Sequence, residues 1–217
     1  MYTLNDKPLF VITLIASSLL LFSACSDDST GPDVPESQLE LHTAEDVPAN
    51  PNAERGAPAN YTFYDLQNGE VVADEDSASS EWDLAFSSTT VLTNSGVSGP
   101  GNGGAVILDI PFDEVTIAPS EGYNTDTEDS LAIPTGDENG WYNYTGMEQT
   151  PNHAVLPIED KTIVVRTGDG DHYAKIRILS YYKGNPDISS DQQYPPEDDR
   201  YYTFEYAIQM NGTRELN

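Results

Sequence analysis

Hydrophobic and polar residues alternate with a period of two over most of the chain beyond residue 60. In RYYTFEYAIQM (200–210), every second residue from Tyr202 to Met210 is large and apolar. Alternation of this kind, rich in aromatic and β-branched residues, is typical of antiparallel strands with one buried face. Similar short runs are EWDLAF (81–86), AVILDI (105–110), EVTIA (114–118), KTIVVRT (161–167) and YAKIRILSYY (173–182). No segment has a helical period, so we predict an all-β domain of antiparallel strands and hairpins with some long loops.

Two glycine-containing segments predict loops. TGDGDH (167–172) separates two alternating runs and predicts a hairpin turn, with glycine where φ is positive. SGVSGPGNGGA (95–105) has five glycines but no following lysine and no helix start, so it lacks the pattern of a phosphate-binding loop. We expect a mobile surface loop there.

The N-terminal residues predict export and lipid anchoring. Lys7 precedes an apolar stretch from Pro8 to Phe22, which is shorter than the roughly 20 residues of a membrane-spanning helix. Ser23 and Ala24 then precede the only cysteine, Cys25, as in a bacterial lipobox. We therefore predict a signal peptide over residues 1–24 and a diacylated Cys25. A generic cleavage site with an incidental cysteine is the alternative.

The segment that follows Cys25 has the composition of a linker. Residues 26–60 hold five prolines, eight acids and no aromatic residue, a composition that cannot bury enough surface to fold alone. We predict a lipid-anchored linker over 25–60 and one β domain over 61–217. Within the linker, QLELH (38–42) alternates and could form an edge strand. Ser26, Asp27 and Asp28 resemble the export signal of Bacteroidetes-type surface lipoproteins, which predicts display on the outer-membrane surface.

The charge and the motifs narrow the class of function. The formal net charge is −28, from 9 basic and 37 acidic residues, which disfavours nucleic acid and anionic lipid as partners. We interpret this acidity as an adaptation to high salt. The sequence has no GxSxG or HExxH motif and no cysteine beyond the predicted anchor, so we expect no enzymatic activity.

Two segments resemble the HmuY family of haem-binding surface lipoproteins. They are WDLAFSSTTVLTNSG (82–96) and IVVRTGDGDHYAKIRILSYY (163–182), and the aromatic C-terminal strand agrees with them. The resemblance covers most of residues 61–210. It implies an all-β fold that clamps haem between loops at one end. It also implies capture of haem outside the cell and transfer to a TonB-dependent outer-membrane receptor.

The resemblance also directs attention to GWYNYTGMEQTPNHAV (140–155). Family members hold iron between two histidines or two methionines, and one ligand follows a Trp-containing strand just before the VVRT strand. Here Met147, six residues after Trp141, lies nearest that position, and His153 is the other candidate. The second ligand is expected upstream, yet no His or Met occurs between His42 and Met147.

Other residues are alternatives for the missing ligand. Tyr123 could bind ferric iron through its phenolate, and His172 could approach from its hairpin. Trp141, Tyr142 and Tyr144 could stack on a porphyrin or pack in the core. The competing hypotheses are a structural or adhesive lipoprotein that kept the β scaffold without haem, and a carbohydrate-binding module.

Overall fold

The structure is a computed structural model that describes residues 39–54 and 56–217, and its regular elements are nearly all strands. The only helical segments among these residues are two short 3-10 turns, Asp74–Asp76 and Phe112–Glu114. The prediction of an all-β fold is confirmed. The strands are β1 Leu39–Pro48, β2 Thr62–Asp65, β3 Glu70–Val72, β4 Leu84–Ser87, β5 Thr90–Thr93, β6 Gly104–Leu108, β7 Tyr142–Tyr144, β8 Val155–Pro157, β9 Thr162–Arg166, β10 Tyr173–Tyr182 and β11 Asp199–Gln209.

The strands form three antiparallel sheets. A five-stranded sheet has the order β1-β11-β10-β9-β6, and a four-stranded sheet has the order β3-β2-β4-β5. Strands β7 and β8 form a separate hairpin that pairs Tyr142 with Pro157 and Tyr144 with Val155. This small hairpin carries most of the segment 140–155.

The two larger sheets pack face to face through aromatic side chains. Phe204 on β11 lies against Tyr64 on β2 and Phe86 on β4, with ring centroids 5.3 and 5.5 Å apart. Burial of each such ring stabilises the fold by about 1.5–3 kcal/mol. The alternation along 200–210 therefore predicts the buried face correctly from Tyr202 to Ile208.

The opposite face of the five-stranded sheet carries a second, smaller cluster. Ile163 and Val164 are neighbours on β9 and therefore face opposite sides of the sheet; Ile163 joins the main core and Val164 joins this cluster. The buried members of the second cluster are Val115, Ala118, Val164 and Leu216, with Tyr123 and Tyr173 packed against them.

One predicted strand is wrong. In EVTIA (114–118) only Ile117 makes a strand-type bridge, to Glu215; Glu114 ends a 3-10 turn, and the other residues are irregular. Pro111 and Pro119 flank the segment, and proline cannot donate a ladder hydrogen bond. Val115 and Ala118 are buried in the second cluster, whereas Ile117 is exposed and marks a single bridge rather than a strand.

The glycine loop and the predicted hairpin turn pack together. Residues 167–172 join β9 to β10, with Tyr173 paired to Arg166, so the hairpin is confirmed. A Cβ on Gly101 would lie 2.6 Å from the carbonyl oxygen of Gly168 and 2.7 Å from that of Asn94. The expected mobile loop is instead held in close contact with its neighbours.

The domain begins earlier than the composition predicts. Residues 39–48, which the composition assigns to the linker, form β1 and pair with β11 along its length. Ala44 and Val47 of this strand are buried in the main core. The edge strand expected at QLELH is confirmed, and the predicted boundary at residue 61 does not coincide with the start of the sheet.

The predicted signal peptide, Cys25 and the residues directly after it lie outside the described residues. Across 39–54 and 56–217, no helix has the length and apolar character needed to span a membrane.

Candidate functional site

Trp141 fixes the start of the 140–155 segment in the core. Its side chain is 3% exposed, and its indole N–H donates to the carbonyl oxygen of Thr89 at 3.1 Å. Its ring also packs against Tyr181 and Tyr202, with centroids 5.9 and 5.1 Å apart. Trp141 therefore anchors the β7–β8 hairpin, and its ring is covered by protein side chains.

Hydrogen bonds at the end of the β7–β8 hairpin hold its loop in one conformation. The N–H of Thr145 donates to the carbonyl oxygen of Ala154 at 3.0 Å. The N–H of Ala154 donates to the Thr145 hydroxyl at 2.8 Å, and that hydroxyl donates to the carbonyl oxygen of Pro151 at 2.6 Å. The loop that follows Tyr144 is therefore held at its base.

Tyr144 and His153 form a hydrogen-bonded pair across this base. The phenol oxygen of Tyr144 lies 2.6 Å from Nδ1 of His153, and the two ring centroids are 5.9 Å apart. His153 has φ of +60°, and its N–H donates to the carbonyl oxygen of Gly146 at 2.6 Å. This left-handed backbone turns the imidazole toward the tyrosine.

The pair borders a cleft of about 400 Å³, within the range of about 300–1,000 Å³ usual for small-molecule sites. Tyr142 and Tyr181 line the cleft with rings that are almost fully buried, and burial raises the pKa of Tyr181 to about 12, so its phenol stays neutral. The residues around the cleft are Ser88, Thr89, Asp137, Tyr142, Tyr144, His153, Val155, Tyr181, Asp199 and Arg200.

Arg200 is the only arginine or lysine that lines the cleft, and it sits in a constrained position. Its φ is +64°, and its guanidinium donates to the carbonyl oxygens of Asn50 and Ala53 at 3.2 and 3.0 Å. The Asp199 carboxylate lies 3.7 Å from its Nε. The pKa of Asp199 is raised by burial, while Arg200 acts against that rise. A cation is thus fixed at the rim of an otherwise acidic cleft.

Met147 lies on the same hairpin, outside the cleft lining. Its side chain is 78% exposed, so it has no packing role in the core. The Asn152 side-chain amide holds the loop by donating to the carbonyl oxygens of Met147 and Gln149, at 3.0 and 3.1 Å. The thioether is accessible on a loop of fixed backbone.

Tyr123 lies on the other side of the five-stranded sheet from Trp141. Its ring packs against Tyr173, with Arg166 5.6 Å from its centroid, in the second cluster. Its hydroxyl is buried without a hydrogen-bond partner, and burial raises its pKa far above the usual range. The structure therefore does not bring Tyr123 together with Met147 or His153.

The two remaining histidines serve separate structural contacts. His172 pairs with Asp169 at 3.1 Å within the hairpin turn, and His42 stacks on Tyr206 with centroids 5.0 Å apart. No cluster of three or more His, Cys, Asp or Glu side chains suited to a metal ion occurs in the described part of the chain. Of the predicted site residues, only Trp141, Met147 and His153 belong to the same part of the fold, the β7–β8 hairpin with its loop and the residue before it.

Sequence reasoning missed Arg200 and Tyr181 as cleft residues and gave Tyr144 only a stacking role. Tyr181 belongs to an alternating strand and is indistinguishable there from other core aromatics. The one available signal for Tyr144 was its spacing of nine residues from His153, which suits two ends of a tight hairpin loop.

The cleft supplies only part of what a metallated tetrapyrrole would need, which is flat apolar surface, a donor to the metal and a cation for its carboxylates. Tyr142 and Tyr181 line the cleft but are only 8% and 3% exposed, so they present little apolar surface to it. Arg200 is a cation at its rim. The donors that could hold the metal are Tyr144 and His153 at the cleft and Met147 outside it, and all three belong to the β7–β8 hairpin and its loop.

Comparisons with known proteins agree with this architecture. No curated protein sequence gives a significant match to the chain. The family model described as HmuY protein matches residues 57–206, which cover β2 to most of β11 and include the whole β7–β8 hairpin. This chain belongs to the HmuY family.

Proposed function

We propose that this protein is a non-enzymatic surface lipoprotein that binds haem and passes it to a TonB-dependent outer-membrane receptor. Family membership over residues 57–206 supports the ligand class. The observation that carries the proposal is the β7–β8 hairpin, whose loop presents the exposed Met147 and whose base borders a cleft with Tyr144, His153 and Arg200. Haem would supply an iron that accepts an axial donor and two carboxylates that accept a guanidinium.

Met147 is the proposed ligand of reduced iron. Its thioether is a soft donor, and soft donors favour ferrous over ferric iron. Its 78% exposure leaves the sulfur free to approach a ligand without repacking the core. Arg200 is proposed to pair with a carboxylate of the ligand, because it is the one arginine or lysine that lines the cleft.

The function is tested by titrating the protein with ferric and dithionite-reduced haem, followed by absorption. The wild type should give a saturable spectrum, with reduced haem held through Met147. Met147→Leu should weaken ferrous binding and alter its bands while keeping side-chain volume. Met210→Leu is the matched control, since Met210 packs partly buried against the core.

An absence of any saturable spectrum in either oxidation state would overturn the haem proposal. The scaffold would then be that of a structural or adhesive lipoprotein, or of a carbohydrate-binding module. A glycan array with the same preparation distinguishes these two.

The proposed anchor is tested separately in the host cell. Wild-type protein should partition into the detergent phase, carry fatty acid on Cys25 and be accessible to protease on intact cells. Cys25→Ala should release or misprocess the protein. Cys25→Ser, which keeps the side-chain size but also lacks the thiol, should behave in the same way. Recovery of soluble, unacylated wild type would contradict the lipoprotein assignment and leave haem binding unaffected.

A further inference from the structure

We propose that the edge of β10 over residues 177–182 is a peptide-binding site, where an extended, cationic segment of a partner protein adds to the sheet as a strand. This interaction surface goes beyond haem binding and does not depend on it. It gives a role to a groove beside β10 that the haem proposal leaves unused.

Strand β10 is longer than its neighbour β9, so part of one edge has no strand beside it. β9 pairs with β10 only from Tyr173 to Ile176, whereas β11 pairs with β10 as far as Tyr182. Along 177–182, the backbone groups on the β9 side therefore have no ladder partner among the described strands. A row of unpaired N–H and C=O groups is the feature to which an extended peptide adds.

Strand β8 lies against β10 but does not pair with it. The two strands are in contact, yet β8 belongs to the separate sheet that it forms with β7. The N–H of Val155 donates to the Tyr182 phenol oxygen at 2.9 Å rather than to the β10 backbone. Pro157 has no N–H to donate. The edge of β10 thus faces a neighbouring strand without being closed by it.

The space at this edge is a groove of about 690 Å³. Leu156 and Pro157 of β8 form one wall, residues 185–188 form another, and residues 177–182 of β10 also line it. Six residues of strand provide about 20 Å of edge at about 3.4 Å each, which suits an added strand of about five or six residues. Ile178 and Ile188 are only partly buried and offer apolar surface to its side chains.

The charges at the groove favour a cationic partner. Glu159 and Asp187 line it with exposed side chains, and neither forms an ion pair within the described residues. Arg177 is the only arginine or lysine of the lining, and its guanidinium already donates to Glu205 at 2.8 Å and Asp113 at 3.4 Å. Two carboxylates therefore remain to be matched by lysine or arginine side chains of the added segment.

The protein itself does not offer a segment of this kind. A second copy carries the same net charge of −28, which opposes its approach. Residues 26–38 of the same chain contain four acids and no lysine or arginine. Charge complementarity thus selects a different protein as the occupant.

The test is an NMR titration of the purified protein with synthetic hexapeptides at low ionic strength. The peptide acetyl-KVKVKV-amide should shift the amide resonances of residues 177–182 in a saturable way. Two N-methylated forms, modified on every lysine or on every valine, keep the side chains but remove the N–H donors of one edge. At least one of them should bind about tenfold or more weakly, because ladder hydrogen bonds are lost.

Charge is tested with the acidic peptide acetyl-EVEVEV-amide and with two variants of the protein. The acidic peptide should not bind the wild type. Glu159→Lys should weaken binding of the cationic peptide. Glu128→Lys is the matched control, because it changes the net charge equally at an exposed position outside the groove lining.

Saturable shifts at 177–182 that depend on the peptide N–H groups and on Glu159 support the proposal. Shifts that are absent or lie elsewhere overturn the site. Equal binding of every N-methylated form overturns strand addition, and equal binding of the acidic peptide overturns the cationic partner. Amides of 177–182 that resist hydrogen exchange without peptide would assign the edge to this chain, and dependence on protein concentration would identify a second copy. Haem is absent throughout, so each of these failures leaves the proposed function standing.

Discussion

At the scale of single residues, the most characteristic side chains of the family motif hold the fold together rather than a ligand. Asp83 is 2% exposed, and its carboxylate accepts the N–H groups of Leu66 and Gly168 at 2.7 and 2.6 Å. Asn94 similarly joins the carbonyl oxygen of Trp82 to the N–H of Gly101, at 2.8 Å each. A motif of this kind therefore identifies the scaffold and gives no information about the iron ligands.

Asp83 should make stability fall as pH rises toward neutrality. Burial raises its pKa from 3.8 to about 7, with Asp65 and Asp169 adding repulsion and the two N–H donors opposing the rise. Between those pH values the folded protein holds a proton that the unfolded chain has released. The stability associated with Asp83 is therefore present below about pH 4 and lost as pH increases to about 7.

Asp83→Asn isolates this effect in urea unfolding. The side-chain NH₂ of asparagine would face the N–H of Leu66 or Gly168, so one of these two hydrogen bonds would be lost. This loss should lower the free energy of unfolding by about 1–3 kcal/mol near pH 5. The deficit should shrink by pH 8, where the wild type bears a buried charge. Asp74→Asn, at an exposed position, is the control. An equal deficit at both pH values would contradict the predicted pH dependence.

Tyr123→Phe should leave haem binding unchanged and stability equal or slightly higher. The variant removes a buried hydroxyl that has no hydrogen-bond partner, and such a group costs about 1–3 kcal/mol of desolvation. Haemin titration and urea unfolding of this variant check both parts. Weakened ferric binding together with normal stability would instead support Tyr123 as a ligand.

The sequence indicated which hairpin carries the candidate site, but it did not indicate all of the residues that contribute to that site. Met147 and His153 were selected because thioether and imidazole are rare and recognisable donors. Arg200 was missed because its position depends on the carbonyl oxygens of Asn50 and Ala53, about 150 residues away along the chain. Tyr123 was misplaced for a related reason, because spacing does not tell which face of a sheet a loop packs on.

At the scale of elements, periodicity was reliable where a strand buries one face and unreliable where proline limits pairing. β11 follows the alternation, with Tyr202, Phe204, Tyr206 and Ile208 in the main core. β9 is buried on both faces, and 114–118 has a similar apolar character but only one bridge, from Ile117 to Glu215. β1 lies at the sheet edge with one buried and one exposed side, so its composition resembles that of a linker. Edge position, rather than lack of structure, explains its polar content.

The pairing of β1 predicts how far the chain can be shortened from its N-terminus. A chain of residues 39–217 keeps every described strand, so its melting temperature should match that of residues 25–217. A chain of residues 49–217 lacks Ala44 and Val47, whose apolar burial is worth about 2–4 kcal/mol. It also exposes the edge of β11, the eleven-residue strand at the centre of the main core.

Circular dichroism melting and light scattering of the three chains check this expectation. The shortest chain should melt at lower temperature and aggregate. Equal melting temperatures for residues 39–217 and 49–217 would show that β1 contributes nothing to the stability of the sheet.

At the scale of the whole molecule, the main feature is the large excess of negative charge. The chain has 37 acidic and 9 basic residues, and ion pairs such as Lys161–Asp109 and Arg177–Glu205 leave most carboxylates without a counter-charge. The anionic ligand proposed here must therefore approach a protein of the same sign. Arg200 at the cleft is the local exception to this field.

The same excess of carboxylates predicts that stability rises with salt. The Debye length falls from about 30 Å at 0.01 M to about 3 Å at 1 M, so repulsion between surface carboxylates should be largely screened in molar KCl. If screening restores about 2 kcal/mol, the melting temperature should rise by about 4–8 °C for a domain of this size. Thermal unfolding across that KCl range, with NaCl as the matched salt, measures the effect. Screening depends on ionic strength alone, so the two salts should give superimposable curves. A flat profile, or a rise that saturates at millimolar calcium, would contradict general screening and indicate a specific cation site instead.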